Sequence, residues 1–262
     1  MNPNWDNNNA GTIKSELVKS DSVYFYKKRG KNKDSVLAMA QYFDTSGNLL
    51  ERTGYNLKGE VIEISNFTYI NDALFKKESV STSPININGS NVAKKIITYD
   101  HDSLGNVITE KEFSYYGNAL KPLSVTVLDK EYDSLGNTRR EFLTLPGFRK
   151  FLHRVYNYLN GMLIETQTYD TNKEWMYSYL YEYDEAISVK REYLYNSSKT
   201  LTVESFYDEK KRLVKEKSYT HSGSVPGHTT QAYVYNSNGL LESQSVEDVR
   251  GGHYYYRHFY KR

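Results

Sequence analysis

Apolar and polar residues alternate with a period of 2 through much of this chain. The segment 49–55 that follows Gly47 and the segment 163–169 that follows Gly161 both show this alternation. Period 2 is typical of a β-strand, because successive side chains of a strand point to opposite faces of the sheet. The pattern therefore predicts strands, which in these two segments begin shortly after a glycine.

A recurring turn motif separates these segments. Its clearest copy is Tyr132–Asn137 (YDSLGN), with near copies at His101–Asn106 (HDSLGN) and Phe43–Asn48 (FDTSGN). The Asp side chain can bond backbone groups two residues onward, and the glycine supplies positive φ without a steric penalty. The repeated Asp, Asn and Gly residues are therefore interpreted as architectural.

The spacing of the motif fixes the size of the repeating unit. Nine tyrosines are followed at once by Asp or Asn. From Tyr156 to Tyr219 the turn signals recur every 12–14 residues, a step that fits one strand and one turn. The sequence thus predicts an all-β fold, a large antiparallel meander of about 17 strands, more than an open sheet usually tolerates without curling. We expect a curled or partly single-layer sheet, with a longer loop at 81–91 around Pro84 and Gly89.

The Tyr-Asp-x-x-Gly-Asn turns resemble the YD repeats of Rhs-type and teneurin-type proteins. The resemblance runs from about Phe43 to Asn238. It implies a repeat array that builds a curled β-shell, in that family often around a packaged polypeptide. On this interpretation residues 1–20 are a flexible polar leader and residues 21–262 are a single YD-like β-repeat domain.

Composition limits the partners of the chain. The 34 basic and 32 acidic residues leave a net charge of +2, so no nucleic-acid partner is expected. No run of 18 apolar residues occurs, which argues against a transmembrane helix. Charges on both faces of 107–116 and 213–219 argue against strands that face lipid. The absence of cysteine excludes thiolate metal sites.

Catalytic motifs do not emerge from the sequence. The six histidines form no zinc-peptidase pattern, and no nucleophile elbow, phosphate loop or dinucleotide fingerprint is present. Isolated turn carboxylates are too few for a calcium cage. We therefore expect no enzyme activity, no metal and no cofactor. A carboxylate pair at glycosidase spacing stays open as an alternative.

One aromatic stripe exceeds the background of 26 tyrosines. Alternation along one predicted strand places five rings on a single face, and two more follow on the next strand: Trp175, Tyr177, Tyr179, Tyr181, Tyr183, Tyr193 and Tyr195. Tyr254, Tyr256, His258 and Tyr260 repeat the arrangement near the C-terminus. Such rings stabilise a sheet through cross-strand pairs, or they form a platform for a glycan or a protein partner. The seven residues of the stripe are the candidate ligand-binding residues.

The sequence favours a non-catalytic binding or scaffold protein with a glycan or protein partner. We expect it to be extracytoplasmic or at the cell surface, chiefly from the family resemblance, and a cytoplasmic location is the alternative. The second interpretation is a relative or fragment of an Rhs-type shell that packages a polypeptide. The third is a carbohydrate-active enzyme that uses the repeated carboxylates.

Overall fold

The structure, a computed structural model, describes residues 18–29, 32–87, 90–116, 119–186, 188–220, 227–249 and 251–261. Within these ranges the chain forms only strands, turns and irregular segments. The all-β prediction is therefore confirmed for this part of the chain. Residues 1–17 of the predicted leader lie outside the described residues, and the single domain expected over 21–262 stays a prediction.

Eighteen strands follow one another along the chain. Their bounds are β1 Ser20–Arg29, β2 Asn32–Phe43, β3 Leu49–Tyr55, β4 Val61–Ile70, β5 Ala73–Ile87, β6 Ser90–His101, β7 Val107–Tyr116, β8 Ser124–Tyr132, β9 Thr138–Thr144, β10 Phe151–Leu159, β11 Met162–Tyr169, β12 Trp175–Asp184, β13 Val189–Tyr195, β14 Lys199–Tyr207, β15 Leu213–Thr220, β16 Gly227–Tyr235, β17 Leu241–Glu247 and β18 His253–Lys261.

The strands form one antiparallel sheet that closes on itself. The first strand pairs with the last, from Ser20 opposite Lys261 to Lys27 opposite Tyr254. The antiparallel prediction is confirmed, but the expected curled or partly single-layer sheet is wrong. Pairing β1 with β18 satisfies backbone N–H and C=O groups that an open sheet would leave unpaired at its edges.

The strands fall into two compact units. Unit 1 spans 18–61, 182–193 and 201–261 of the described chain, and its ladder runs β14-β15-β16-β17-β18-β1-β2-β3. Unit 2 spans 62–181 and 194–200, and its ladder joins β4 to β12 in chain order.

Both units bury polar side chains, and unit 1 also has a small apolar core. In unit 1 a small core forms where Phe43 and Tyr260 pack against the buried Val18 and Leu240. Burying an aliphatic side chain of this size contributes roughly 1.5–3 kcal/mol to stability. Buried residues of unit 2 are mostly polar, and two of them are paired: Ser65 Oγ donates to Glu63 at 2.9 Å, and Ser178 Oγ accepts the Nε1–H of Trp175 at 3.1 Å. These hydrogen bonds offset the cost of burying the two hydroxyls.

The predicted Asp and Asn turns form, and eight of the described turns share one geometry. In each, the Oδ1 atom of the first residue accepts the N–H of the residue four positions on, and the first residue's own N–H donates to that residue's carbonyl. The first residues are Asp44, Asn56, Asp102, Asp133, Asp170, Asp208, Asn236 and Asp248. The fourth residue has positive φ in all eight turns; it is a glycine in six of them and Lys173 or Lys211 in the other two.

A β-bulge follows many of these turns. Beside the turn at Asp133, Glu131 lies opposite Arg140 while Tyr132 lies opposite Thr138, so Arg139 is the extra residue. A bulge of this kind reverses the expected alternation for the residues between the bulge and the turn. Alternation read from the sequence is therefore reliable only up to the bulge.

The loop predicted at 81–91 is wrong, because strand pairing continues through it. β5 reaches Ile87 and β6 begins at Ser90, with Ile87 opposite Ser90. The register shifts between Val80 and Ile85, the interval that contains Pro84. A proline is tolerated in a strand where the ladder is interrupted in this way.

Candidate functional site

Five neighbouring strands of unit 1 place one row of side chains on the same face. Tyr233 lies opposite Gln244, Gln244 opposite Tyr256, Tyr256 opposite Phe25, and Phe25 opposite Val36. Residues directly opposite one another in antiparallel strands share a face of the sheet. The row therefore crosses β16, β17, β18, β1 and β2 without changing face.

A cavity of about 630 Å³ lies against this row, and every residue that lines it belongs to unit 1. Its aromatic lining is Phe25, Tyr55, Tyr254 and Tyr256, its aliphatic lining is Val36, Leu37, Ala38, Leu57 and Val246, and its polar lining is Asn56, Thr229, Gln231, Gln244 and Asp248. Apolar side chains with a few polar groups between them are the usual composition of a small-molecule site, and the volume falls within the usual range.

Three rings form one wall of the cavity. The ring centroids of Phe25 and Tyr254 are 5.8 Å apart with the planes inclined by 26°, and those of Phe25 and Tyr256 are 5.4 Å apart. Contacts at these distances hold each ring against its neighbours. The wall thus offers a broad apolar surface suited to a flat ring.

Two glutamines provide the buried polar end of the cavity. Gln244 is 1% exposed, and its Nε2 donates to Oε1 of Gln231 at 2.5 Å. The Gln231 oxygen also accepts the hydroxyl of Tyr233 at 3.2 Å. The Oε1 atom of Gln244 is buried and has no hydrogen-bond partner in the described structure. A buried acceptor left unpaired costs about 1–3 kcal/mol, so a group that donated to it in the cavity would bind favourably.

The carboxylate of the cavity lining is held within a turn. Asp248 Oδ1 accepts the N–H of Gly252 at 2.8 Å, and Oδ2 accepts the Tyr254 hydroxyl at 3.3 Å. A carboxylate engaged in this way positions the backbone of the turn. We therefore assign Asp248 a structural role.

Burial raises the pKa of two tyrosines in this row. It raises the pKa of Tyr256 and, more strongly, that of Tyr233, where the charge of Glu216 acts in the same direction. Both hydroxyls therefore stay protonated at neutral pH and keep their capacity to donate.

The predicted aromatic stripe is divided by a bulge in unit 2. Tyr177 lies opposite Thr168, but Trp175 lies opposite Tyr169, the next residue on β11. Because adjacent strand residues point to opposite faces, Trp175 and Tyr177 do not share one, and that part of the prediction is wrong. Tyr177 and Tyr179 do keep one face, with their ring centroids 5.6 Å apart.

Trp175 joins a different group on its own face. It is 42% exposed, its Nε1 donates to Ser178 Oγ at 3.1 Å, and its ring lies 6.0 Å from that of Tyr195.

The remaining stripe residues belong to both units. Tyr181 lies in unit 2 and is half-buried, whereas Tyr183 and Tyr193 lie in unit 1. The Tyr193 hydroxyl donates to Glu182 Oε2 at 3.0 Å, and Lys190 lies over the ring of Tyr183. A ligand-binding role for the seven residues stays a prediction.

Sequence reasoning found only part of the cavity. The second aromatic row near the C-terminus contains Tyr254 and Tyr256, which line it. The sequence does not mark the other key lining residues as part of a binding site, because each follows the ordinary alternation of its strand. These residues are Phe25, Gln231 and Gln244. Their convergence depends on the pairing of β1 with β18.

The described residues contain neither a metal-binding cluster nor a membrane-spanning helix. No group of three or more His, Cys, Asp or Glu side chains there is placed to hold a metal ion. None of the described segments forms a helix long and apolar enough to cross a membrane.

Comparison with solved structures gives distant likenesses. No protein-family model and no curated protein matches the chain. A porin-like protein from Bacteroides uniformis is 10% identical, with a TM-score of 0.38, covering 93% of this chain and 98% of its own. A second, from Bacteroides vulgatus, is also 10% identical, with a TM-score of 0.35 and coverage of 91% and 97%. The TcdB2-TccC3 structure without its hypervariable C-terminal region is 12% identical, with a TM-score of 0.30, covering 88% of this chain and 18% of its own.

The resemblance to YD-repeat proteins is not upheld. No family model matches, and the strands close into one sheet instead of forming an array of repeat units. The turn motif that produced the resemblance is explained by local chemistry, since an Asx turn followed by a residue of positive φ serves many antiparallel hairpins. A motif that any tight hairpin favours is weak support for a family.

Proposed function

We propose that this protein is a non-catalytic binding protein that holds a small molecule in the cavity of unit 1. The observation that carries the proposal is Gln244, a residue that lines a cavity of about 630 Å³ and whose buried Oε1 atom has no partner in the described structure. A bound molecule that donates to this oxygen would recover the cost of burying it.

The lining supports binding in preference to catalysis. Asp248, the carboxylate among the described lining residues, is engaged by Gly252 and Tyr254. The two glutamines are neutral and bond to each other. A general base or nucleophile needs a titratable group that is available to the substrate, and these contacts do not supply one.

Filling the cavity tests the proposal. The neutral fluorescent probe N-phenyl-1-naphthylamine should bind the wild-type protein with a rise in fluorescence. Val246→Trp places an indole in the cavity and should abolish that rise. Val234→Trp, on the neighbouring strand at a site 53% exposed, is the matched control and should bind as the wild type does. Equal binding by both variants would contradict the proposal.

The extracytoplasmic location and the glycan or protein partner expected from the sequence stay predictions. Fractionation of the native host, with the protein detected by an antibody, tests the location.

A further inference from the structure

The hydrogen bonds of Gln231 and Gln244 indicate which polar group a bound molecule would need. Gln231 Oε1 receives two donors, from Gln244 and Tyr233. Gln244 Oε1, which can only accept, is the buried atom of this pair that has no partner among the described residues. A molecule that satisfies this atom must therefore present an O–H or N–H group.

The aromatic wall defines the shape of the body that carries this donor. Tyr256 lies directly opposite Gln244 on the neighbouring strand, and Phe25 lies opposite Tyr256. Side chains directly opposite one another are within about 5.5 Å at Cβ. A flat ring packed on Tyr256 and Phe25 would thus bring a substituent at its edge close to Gln244.

The charge of the lining defines the charge of the molecule. None of the described lining residues is Lys, Arg or His, so an anionic group would be desolvated without a counter-charge. Gly252 and Tyr254 donate hydrogen bonds to Asp248 but are both neutral, so the carboxylate keeps its negative charge and also repels an anion. The lining therefore disfavours a negatively charged molecule.

From these three features we infer that the cavity selects a ring compound without negative charge that bears a hydroxyl or N–H donor, which it presents to Gln244 Oε1. This inference rests on the proposed function and specifies the chemistry of its ligand.

Three naphthalene probes of nearly the same shape test the inference by isothermal titration calorimetry at neutral pH. 2-Naphthol is uncharged and has a donor, 2-methoxynaphthalene is uncharged and has none, and 2-naphthoate is an anion. We expect 2-naphthol to bind roughly tenfold more tightly than 2-methoxynaphthalene, the usual effect of one hydrogen bond to a buried acceptor. Binding of 2-naphthoate should be weaker than that of either.

A substitution at Gln244 tests whether its Oε1 atom causes the preference for 2-naphthol. Gln244→Met keeps the length of the side chain and removes the acceptor, so it should bind 2-naphthol and 2-methoxynaphthalene equally. Gln167→Met, at a half-buried glutamine of unit 2, should keep the tenfold preference. The affinities of the three probes are also ranked on the wild-type protein alone. The inference can therefore be tested even if Gln244→Met does not fold.

The outcomes separate the inference from the proposed function. Equal binding of 2-naphthol and 2-methoxynaphthalene to the wild type, or tighter binding of 2-naphthoate, overturns the inference and leaves the binding function standing. The inference also fails if Gln244→Met folds and keeps the preference. No binding of any probe, with no effect of Val246→Trp on N-phenyl-1-naphthylamine, overturns both.

Discussion

The Nδ1 atom of His258 lies 2.7 Å from Oδ2 of Asp21, across 237 residues of chain. Both side chains are buried. Asp21 belongs to β1 and His258 to β18, the pair of strands that closes the sheet. This buried contact therefore joins the first described strand to the last.

Removing one partner should weaken the closure. Asp21→Ala leaves a buried imidazole without its carboxylate, and we expect it to lower the free energy of unfolding by about 3 kcal/mol. Urea denaturation of the wild type and the variant measures the difference. His253→Ala, at an exposed site on the same strand, is the control and should change stability by less than about 0.5 kcal/mol. Equal stability of Asp21→Ala and wild type would show that the contact contributes nothing to the closure.

The turn at Asp133 should depend more on its glycine than on its carboxylate. Gly136 has a φ of 81°, and a Cβ atom added there would meet Asn106 Oδ1 at 3.9 Å, which is an ordinary contact. The cost of Gly136→Val is therefore backbone strain, at least about 1–3 kcal/mol. Asp133→Ala removes the turn bonds of a half-buried side chain, whose net contribution to stability is modest, and should lower the melting temperature by less. A larger effect of Asp133→Ala would contradict this account of the turn.

A lysine occupies the glycine position of another turn, and replacing it should stabilise the protein. Lys211 has a φ of 59°, in the left-handed region that costs a residue with a Cβ atom roughly 1–2 kcal/mol. Lys211→Gly removes that strain, but glycine also makes the unfolded chain more flexible, which offsets part of the benefit. We therefore expect the free energy of unfolding to rise by about 1 kcal/mol. Thermal unfolding measures it. Lys210→Gly, one residue earlier in the same turn, is the control and should give no gain.

Acid should weaken the Asp turns. The side chain of Asn137 and backbone N–H groups hold the pKa of Asp133 below its ordinary value, and Asn106 does the same for Asp102. Because the folded pKa lies below the unfolded one, the ionised carboxylate stabilises the folded state above the unfolded pKa. This contribution is lost as the pH falls through the folded pKa, so the fall in stability should appear below about pH 4.

Asparagine should remove this pH dependence without breaking the turn. Asn56 and Asn236 already accept the same backbone bonds at equivalent positions. The double variant Asp102→Asn, Asp133→Asn should therefore unfold like the wild type at neutral pH and lose less stability between pH 6 and about pH 3. Thermal unfolding across that range measures it, and parallel curves for the two proteins would contradict the assignment.

The strands and turns were predictable because their causes are local. Asp133 bonds to backbone groups only two and four residues away, and Gly136 supplies the one conformation that the turn requires. Alternation then marks the strand that follows. Each of these signals lies within about a dozen residues, so the all-β class and the tight turns could be read without knowing the pairing.

The partners and faces of the strands were decided only by the tertiary structure. Period 2 cannot show where a bulge reverses the alternation, and for that reason Trp175 and Tyr177 were wrongly placed on one face. Nothing local indicates that β1 pairs with β18, because the gain comes from satisfying two distant edges at once. The cavity depends on that pairing: Phe25 and Gln244 are 219 positions apart in the sequence, and both line it because closure brings their strands to either side of β18.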